Sequence, residues 1–344
     1  MTGVIHRIPL MLKTSAARLI TRALITLALA GTALSSSPAS AAVGFRWLSM
    51  PDGAATPVEV AVWYPTDAPA QPTPVGPLTE TVALNAPVAG RHLPLVVMSH
   101  GNGGTATGHA DTAEALAEAG FIVAALTHTG DNVNDHSRAT DLGNRPRQLS
   151  LLITYMTTTW GDAIDPARVG AFGFSAGGYT VLAAAGGHAD LARIGPHCAA
   201  HPDFFDCQLI MANVQGGVVP AAARLSERPA DARIRAVVAA APALGFAFTA
   251  DGLKAVRVPV QLWRAEDDEI LPHPFYAEAV RQALPQPPEN HVVPHARHFD
   301  FLAPCSAILE KAAPRICESE DGFDRATFHQ RFNRDVVAFF QKTL

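Results

Sequence analysis

Several short stretches of this chain are apolar at nearly every position, and helical patterns separate them along the sequence. LPLVVMS at 93–99, FIVAALT at 121–127 and RVGAF at 168–172 are the first three. A strand with this composition is buried on both faces, which is typical of a parallel sheet covered by helices. Helices are predicted at 105–119 and 147–159, between those strands. The pattern predicts an α/β fold with a mostly parallel, doubly wound sheet.

The same alternation continues to the end of the chain. VEVAVWY at 58–64 alternates apolar and polar residues and predicts an early antiparallel strand. Later strands are predicted at 234–240, 258–263 and 291–293, and later helices at 179–185, 274–283 and 327–341. Residues 186–232 break the rhythm with His, Cys, Pro and Ala. We interpret them as a cap-like insertion after the 179–185 helix, within a single domain that spans 42–344.

Residues 1–41 have the organisation of a secretory signal peptide. The first 22 residues carry basic side chains and no acid, an apolar run follows at 23–34, and Ala-Ser-Ala ends at Ala41. We predict cleavage after Ala41. The alternative is an uncleaved membrane anchor, which the short run and Pro38 disfavour. The sequence therefore predicts a secreted or periplasmic protein without stable membrane insertion after cleavage.

The overall charge excludes one class of partner. The chain has 344 residues, a formal net charge of −5 and no long Lys/Arg run. Nucleic-acid binding requires a basic surface that neutralises phosphates. We therefore predict that the protein has no nucleic-acid partner.

The four cysteines fall into two local pairs. In an oxidising compartment, an even number of cysteines at close spacing favours disulfides, here Cys198–Cys207 and Cys305–Cys317. This choice rests on proximity, since four cysteines allow three connectivities. The alternative is a zinc site formed by His197, Cys198, His201 and Cys207, although their spacing differs from the usual paired ligands.

GFSAGG at 173–178 leaves the buried strand at 168–172 and enters a helix. This is the setting of a G-x-S-x-G nucleophile turn, in which a strained backbone pushes the serine hydroxyl out above the sheet. A Cβ atom at Gly173 or Gly177 would collide with neighbouring backbone. Ser175 is therefore the candidate nucleophile. The alternative is a simple strand–turn–helix junction.

A serine nucleophile needs a base and an acid that orients the base, in the chain order Ser, Asp or Glu, His. An acidic loop, RAEDDEILP, follows the predicted strand at 258–263. Asp268 is the candidate acid because Asp-x-x-apolar-Pro begins there, and Asp267 is the alternative. In PHARHFDFL, at 294–302, His298 is the candidate base because an apolar anchor follows it. His295 is the next choice, and His291 is also close.

A glycine-rich loop, SHGNGG at 99–104, follows another buried strand. Such a loop supplies a backbone N–H to the negatively charged oxygen that develops during acyl transfer. The candidate donors of this oxyanion hole are the N–H groups of Asn102 and of Ala176, directly after the serine. The alternative is a phosphate-binding loop, which the absence of a following Lys-Ser/Thr disfavours.

Together these segments resemble the α/β-hydrolase superfamily, from about residue 45 to the end of the chain. LVVMSHGNGG, GFIVAALTHTG, RPRQLSLLI, GFSAGG and ARHFDFL are similar to a narrower group. That group is the predicted dienelactone hydrolases related to platelet-activating factor acetylhydrolase. One residue differs, because dienelactone hydrolases carry a cysteine nucleophile and this chain carries Ser175.

The resemblance implies a secreted esterase that acts on small or short acyl esters without a cofactor or a metal. It assigns the nucleophile to Ser175, the acid to Asp268, the base to His298 and an oxyanion donor to Asn102. The predicted partner is a small-molecule ester, and no oligomeric state follows from the sequence. A peptidase or polyester depolymerase on the same scaffold is one alternative, and a non-catalytic binding protein is another. We expect the insertion at 186–232 and the polar loop at 131–145 to form the walls of the pocket.

Overall fold

The computed structural model describes residues 42–215 and 230–344. The predicted signal peptide, 1–41, lies outside the described residues. So does the part of the predicted insertion that comprises 216–229.

The described residues contain a single ten-stranded sheet. Its strands are β1 (Ala42–Asp52), β2 (Ala55–Thr66), β3 (Gln71–Val75), β4 (Leu78–Leu84), β5 (Leu93–Ser99), β6 (Ile122–Thr127), β7 (Ile164–Phe174), β8 (Ile234–Ala240), β9 (Val260–Ala265) and β10 (Glu289–Val293). Their spatial order is β10-β9-β8-β7-β5-β6-β2-β1-β4-β3. From β10 to β6 every neighbouring pair is parallel, whereas β2 runs antiparallel to both β6 and β1. The predicted α/β class and mostly parallel sheet are confirmed.

The sequence analysis did not predict three strands at one side of the sheet, which are β1, β3 and β4. β3 has the sequence QPTPV and forms the outer edge of the sheet. Proline cannot donate a backbone hydrogen bond, so within sheets it is confined mostly to edges and strand starts. From the sequence pattern alone, two prolines in five residues predict a loop. The edge position of β3 permits them in a strand.

Helices cover both faces of the sheet. They are α1 (Ala110–Glu118), α2 (Asn144–Thr159), α3 (Ala176–Ala184), α4 (Ile194–Ala200), α5 (Phe205–Gln215), α6 (Ala250–Leu253), α7 (Ala277–Ala283), α8 (Ala307–Ala312), α9 (Pro314–Cys317) and α10 (Arg325–Thr343). The core on one face contains buried side chains of α2, α3 and α7. The core on the other face contains those of α1 and α10. This two-sided covering is the reason why the central strands are apolar at nearly every position.

The cysteines form the two predicted pairs. Cys198 in α4 is bonded to Cys207 in α5, and Cys305 is bonded to Cys317 at the end of α9. The first bond joins the two helices of the described part of the insertion. It also argues against the zinc alternative, because both sulfurs are bonded to each other rather than available as thiolates.

No helix in the described parts of the chain combines the length and the apolar character needed to cross a bilayer.

Candidate active site

The turn between β7 and α3 holds Ser175 in an unusual backbone conformation. Its φ is +56°, a value in the left-handed region that costs free energy for any residue with a side chain. A Cβ atom on Gly173 would lie 2.0 Å from the carbonyl oxygen of Gly177, and one on Gly177 would lie 1.9 Å from that of Ser99. Both obstacles are backbone atoms that cannot rotate away. The two glycines therefore allow the tight turn that presents the serine hydroxyl.

The base predicted from sequence lies beside this hydroxyl. His298 begins a 3₁₀ turn after β10, and its Nε2 atom is 3.1 Å from the Oγ atom of Ser175. The imidazole packs against the Phe174 ring, with 4.8 Å between the ring centroids. Burial and this ring contact hold the imidazole in place. Ser175 and His298 are 123 positions apart in the chain, and the fold joins them by one hydrogen bond.

Asp268, in the loop after β9, orients this histidine. Its Oδ2 atom is 2.9 Å from the Nδ1 atom of His298. The other carboxylate oxygen, Oδ1, accepts backbone N–H bonds from Ile270 at 3.0 Å and Leu271 at 2.7 Å. Because a carboxylate accepts, Nδ1 of His298 carries the proton. The Nε2 atom is then free to accept the hydroxyl proton of Ser175.

The alternative acid and bases lie elsewhere. The side chains of Asp267 and His295 are 51% and 79% exposed, and they approach each other at 3.9 Å on the surface. His291 stacks on the Trp263 indole, with 3.9 Å between ring centroids. The structure therefore brings Asp268 and His298, rather than these neighbours, to Ser175.

Asn102 and Ala176, the candidate oxyanion donors, line the same cavity as Ser175. Ala176 is the first residue of α3, where backbone N–H groups have no partner within the helix. Asn102 is held through its side chain, whose Nδ2 atom donates to Oδ1 of Asp131 at 2.7 Å. The backbone N–H of Gly103 donates to the same oxygen at 2.9 Å. One carboxylate thus fixes the loop that carries the first candidate donor.

A buried ion pair anchors that carboxylate. The Nη1 atom of Arg145 lies 2.5 Å from Oδ2 of Asp131, and the two side chains are 3% and 2% exposed. The guanidinium also donates to the carbonyl oxygen of His100 and, at 3.2 Å, to Oγ1 of Thr180 in α3. Arg145 therefore connects the glycine-rich loop at 99–104 to the helix that follows Ser175. Sequence reasoning identified these two residues only as the ends of a polar loop.

Two neutral histidines fill the space beneath the loop. Burial and the nearby Arg145 charge hold the pKa values of His100 and His128 well below the usual histidine range. Nε2 of His100 accepts the backbone N–H of His128 at 3.0 Å, which puts the proton on Nδ1, where it reaches the carbonyl oxygen of Gly101 at 2.6 Å. His128 similarly bridges Ser99 and Gln148, at 2.9 Å each. The loop thus rests on a neutral network with satisfied hydrogen bonds.

We expect Asp131→Asn to destabilise the protein by about 3–5 kcal/mol, because the substitution leaves the Arg145 guanidinium buried without a counter-charge. Urea unfolding measures this difference. Asp162→Asn is the matched control, since Asp162 pairs with Arg91 on the surface, where the side chains are 93% and 70% exposed. Such a pair contributes less than about 1 kcal/mol. Equal effects of the two substitutions would contradict the anchoring role of Asp131.

The cavity beside Ser175 has a volume of about 60 Å³ and a largely apolar lining. Its walls include Ala139 and Leu142 from the polar loop and Ile194, Leu209 and Ile210 from the insertion. The prediction that these two segments form the pocket walls is confirmed for the described residues.

Two groups of side chains in the described part of the chain approach the arrangement of a metal site. One comprises His197, Asp206 and Cys207, but the Cys207 sulfur is already bonded to Cys198. The other comprises Glu266, Asp267 and His295, which are all exposed. Neither group includes a residue that lies within hydrogen-bonding distance of Ser175, and we assign neither to a metal.

Comparisons with known proteins agree with this architecture. The family profile for platelet-activating factor acetylhydrolase, isoform II, matches residues 70–140. A search of curated protein sequences gives no significant match. Among solved structures, a ferulic acid esterase from Streptomyces cinnamoneus is 20% identical with a TM-score of 0.60, and the alignment covers 90% of this chain and 92% of that one. A dienelactone hydrolase from Anabaena variabilis is 14% identical with a TM-score of 0.51, covering 88% and 99%.

The structural similarities agree with the α/β arrangement of the sheet and its helices. The structural neighbours support the fold, and the profile match relates the segment from β3 to the polar loop to one family within it. The chain therefore has an α/β-hydrolase fold, and its residues 70–140 are similar to the family of platelet-activating factor acetylhydrolase, isoform II.

Proposed function

We propose that the protein is an exported serine hydrolase that cleaves carboxylic esters with small or short acyl groups through an acyl-enzyme. The similarity of residues 70–140 to the acetylhydrolase family supports an ester hydrolase. The observation that carries the finer proposal is the continuous chain of hydrogen bonds from Asp268 through His298 to the Ser175 hydroxyl. This arrangement makes a weak nucleophile reactive at neutral pH.

In the first step, the Oγ atom of Ser175 attacks the ester carbonyl carbon, and Nε2 of His298 takes the hydroxyl proton. Asp268 stabilises the imidazolium that forms, because its carboxylate stays charged and accepts a hydrogen bond from the Nδ1–H group. The carbonyl electrons move to oxygen, and the N–H groups of Asn102 and Ala176 stabilise that charge. The tetrahedral intermediate then collapses, and His298 gives its proton to the departing alcohol. The products of this step are an acyl-serine and a free alcohol.

In the second step, His298 removes a proton from water, whose oxygen attacks the acyl carbon. The Ser175 oxygen leaves and regains a proton from His298, and the carboxylic acid departs. No redox change occurs, and the chemistry needs only the side chains and amides described above. Removal of one oxyanion donor typically costs about 3 kcal/mol of transition-state stabilisation, so the fixed position of Asn102 matters for rate.

Two further observations support the substrate class and the location. The cavity of about 60 Å³ beside Ser175 is small and mostly apolar, which favours short acyl groups. The bonds Cys198–Cys207 and Cys305–Cys317 fit an oxidising compartment, as expected for a protein exported by the predicted signal peptide at 1–41.

A panel of p-nitrophenyl esters from acetate to palmitate, together with matching p-nitroanilides, tests this proposal. We expect the highest kcat/KM for the shortest esters and a decline along the series, because longer chains exceed the cavity. We expect anilide turnover to be far slower than ester turnover. Comparable hydrolysis of anilides would favour the peptidase alternative. Inertness toward the entire panel would contradict the proposal and favour a non-catalytic binding protein.

A further inference from the structure

The 3₁₀ turn that carries His298 contains a fully buried carboxylate, that of Asp300. Its Oδ2 atom accepts the backbone N–H of Arg297 at 2.7 Å, which closes the turn at the residue before His298. Its Oδ1 atom accepts a hydrogen bond from Nε of Arg325 at 3.0 Å. These bonds join the turn to its own backbone and to α10, and none of them involves the His298 ring. The Asp300 carboxylate therefore lies outside the chain of hydrogen bonds that ends at Ser175.

Arg325, the first residue of α10, has fixed partners of its own. Its guanidinium donates to the carbonyl oxygen of Ile316 at 2.8 Å and to that of Glu318 at 3.1 Å. The residue between these two, Cys317, is bonded to Cys305 in the second disulfide. Arg325 thus links the turn of the candidate base to a cross-linked part of the chain.

A second side chain of α10 binds the same turn through its backbone. His329 lies one helical turn after Arg325, so both side chains are on the same face of α10. Its Nε2 atom donates to the carbonyl oxygen of Asp300 at 2.8 Å, and its Nδ1 atom lies 2.7 Å from Oδ2 of Asp111 in α1. Asp300 is therefore held by α10 at its carboxylate and at its carbonyl group.

The stability of the fold does not by itself account for a buried charged pair at this position. The side chains of Asp300 and Arg325 are 0% and 8% exposed. Removing two such charges from water is costly, and apolar side chains of similar volume often stabilise a fold equally well or better. Hydrogen bonds differ from apolar contacts in having a preferred direction, so they fix the orientation of the turn. The His298 imidazole depends on that orientation, because its two nitrogens must meet two different partners.

We propose that Asp300 and Arg325 are positioning residues for the candidate base. Through the turn that they hold, they place the His298 imidazole between Ser175 and Asp268. This inference rests on the proposed ester hydrolysis. Neither residue touches the substrate in this assignment, and both have their effect through the backbone that carries His298. A displacement of about 1 Å in a reacting group can lower a rate by about 100-fold, so a small rotation of the turn is sufficient.

Asp300→Asn tests the proposal. The amide has one acceptor oxygen where the carboxylate has two, so its NH₂ group faces either the Arg297 N–H or the Arg325 guanidinium. We expect kcat for p-nitrophenyl acetate to fall by about 100-fold, because the imidazole is displaced. KM should stay within about twofold of wild type, since the lining of the cavity beside Ser175 is unchanged. An unchanged kcat would overturn the inference.

Asp231→Asn is the matched control. Like Asp300, Asp231 is buried and accepts both a backbone N–H and a guanidinium, here from Arg233. It precedes β8, whereas Ser175 follows the end of the parallel neighbour β7, so the two lie at opposite edges of the sheet. Urea unfolding of both variants compares their stability, and kcat is measured where both are folded. We expect the control to keep the wild-type kcat, and equal losses of kcat in the two variants would overturn the inference.

Arg325→Lys is a second variant, which retains the positive charge. Lysine can pair with Asp300, but its single ammonium group does not reproduce the planar fork that binds Ile316 and Glu318 at the same time. We expect a smaller loss of kcat, about tenfold, again with little change in KM. A wild-type kcat in this variant would contradict the positioning role of Arg325, including in the case that Asp300→Asn does not fold.

Proton NMR provides a measurement that a general loss of stability would not change. The Nδ1 proton of His298, which is hydrogen-bonded to Asp268, should resonate far downfield of the backbone amides and be absent in His298→Ala. We expect this resonance to persist in Asp231→Asn and to shift or broaden in Asp300→Asn. An unchanged resonance in Asp300→Asn would overturn the inference.

The outcomes separate this inference from the proposed function. Wild-type ester hydrolysis together with unchanged kcat in Asp300→Asn would overturn the inference and leave the esterase proposal intact. Failure of the wild-type protein to hydrolyse any ester would contradict the proposed function. In that case the Nδ1 resonance would still report whether Asp300 holds the His298 imidazole in place.

Discussion

Ser175→Ala is expected to reduce kcat for ester hydrolysis by about 10⁶, the loss observed when a serine hydrolase is deprived of its nucleophile. Alanine lacks the oxygen that forms the acyl-enzyme, so only binding and the oxyanion donors remain to assist direct attack by water. The turn itself should persist, because serine and alanine both carry a Cβ atom at φ +56° and the flanking glycines are unchanged. Thermal unfolding of the variant should therefore resemble that of the wild-type protein.

Covalent labelling by a fluorophosphonate provides an independent measurement. The probe should modify wild-type protein at one site, and mass spectrometry should locate the adduct on Ser175. Labelling should be lost in Ser175→Ala and retained in Ser137→Ala, which alters an exposed serine of the polar loop. Undiminished labelling of the Ser175 variant would refute the assignment of the nucleophile.

Asp268→Asn should lower kcat by about 10⁴, as expected when the acid of a Ser-His-Asp triad becomes an amide. The structure gives the reason. The backbone N–H groups of Ile270 and Leu271 both require an acceptor, so the amide oxygen of the substituted side chain would occupy the Oδ1 position. The amide NH₂ would then donate to Nδ1 of His298 and hold the proton on Nε2. A histidine in that tautomer cannot accept the Ser175 proton.

Asp267→Asn is the matched control for this experiment. The neighbouring carboxylate has the same chemistry and a closely similar sequence context, but it faces His295 on the surface. We expect its kcat/KM to stay within about twofold of wild type, because the Asp267 side chain is exposed and its carboxylate faces His295 rather than His298. A large loss in Asp267→Asn, with little effect of Asp268→Asn, would reverse the assignment of the acid.

The central sheet could be predicted from sequence because its strands are buried on both faces. The predicted strands at 93–99 and 121–127 correspond to β5 and β6, with a one-residue difference at the start of β6. The strands β1, β3 and β4, at one edge of the sheet, mix apolar and polar residues. One face of each strand contacts solvent or another element. In β3 the two prolines obscure the strand entirely, since only its place at the edge makes them compatible with pairing.

The residues around Ser175 also fall into two groups, those that the sequence predicted and those that it did not. Ser175, Asp268 and His298 could be selected because each follows a strand and belongs to a motif of fixed local spacing. Asp131 and Arg145 carry no such local pattern, and each has its effect through a contact with a distant loop or helix. A buried ion pair within a polar stretch is indistinguishable from a solvated loop until the fold brings its members together.

The location of the pocket walls has a consequence for protein engineering. The hydrogen bonds that join Ser175, His298 and Asp268 are made by residues outside 186–215, whereas Asp206 and several apolar wall residues lie within that segment. The Cys198–Cys207 bond ties its two helices into a compact unit. Replacing the whole segment 186–232 with that of a homologue should therefore change the substrate preference and leave the reacting groups in place. The two ends of this segment are suitable junctions for chimeric enzymes.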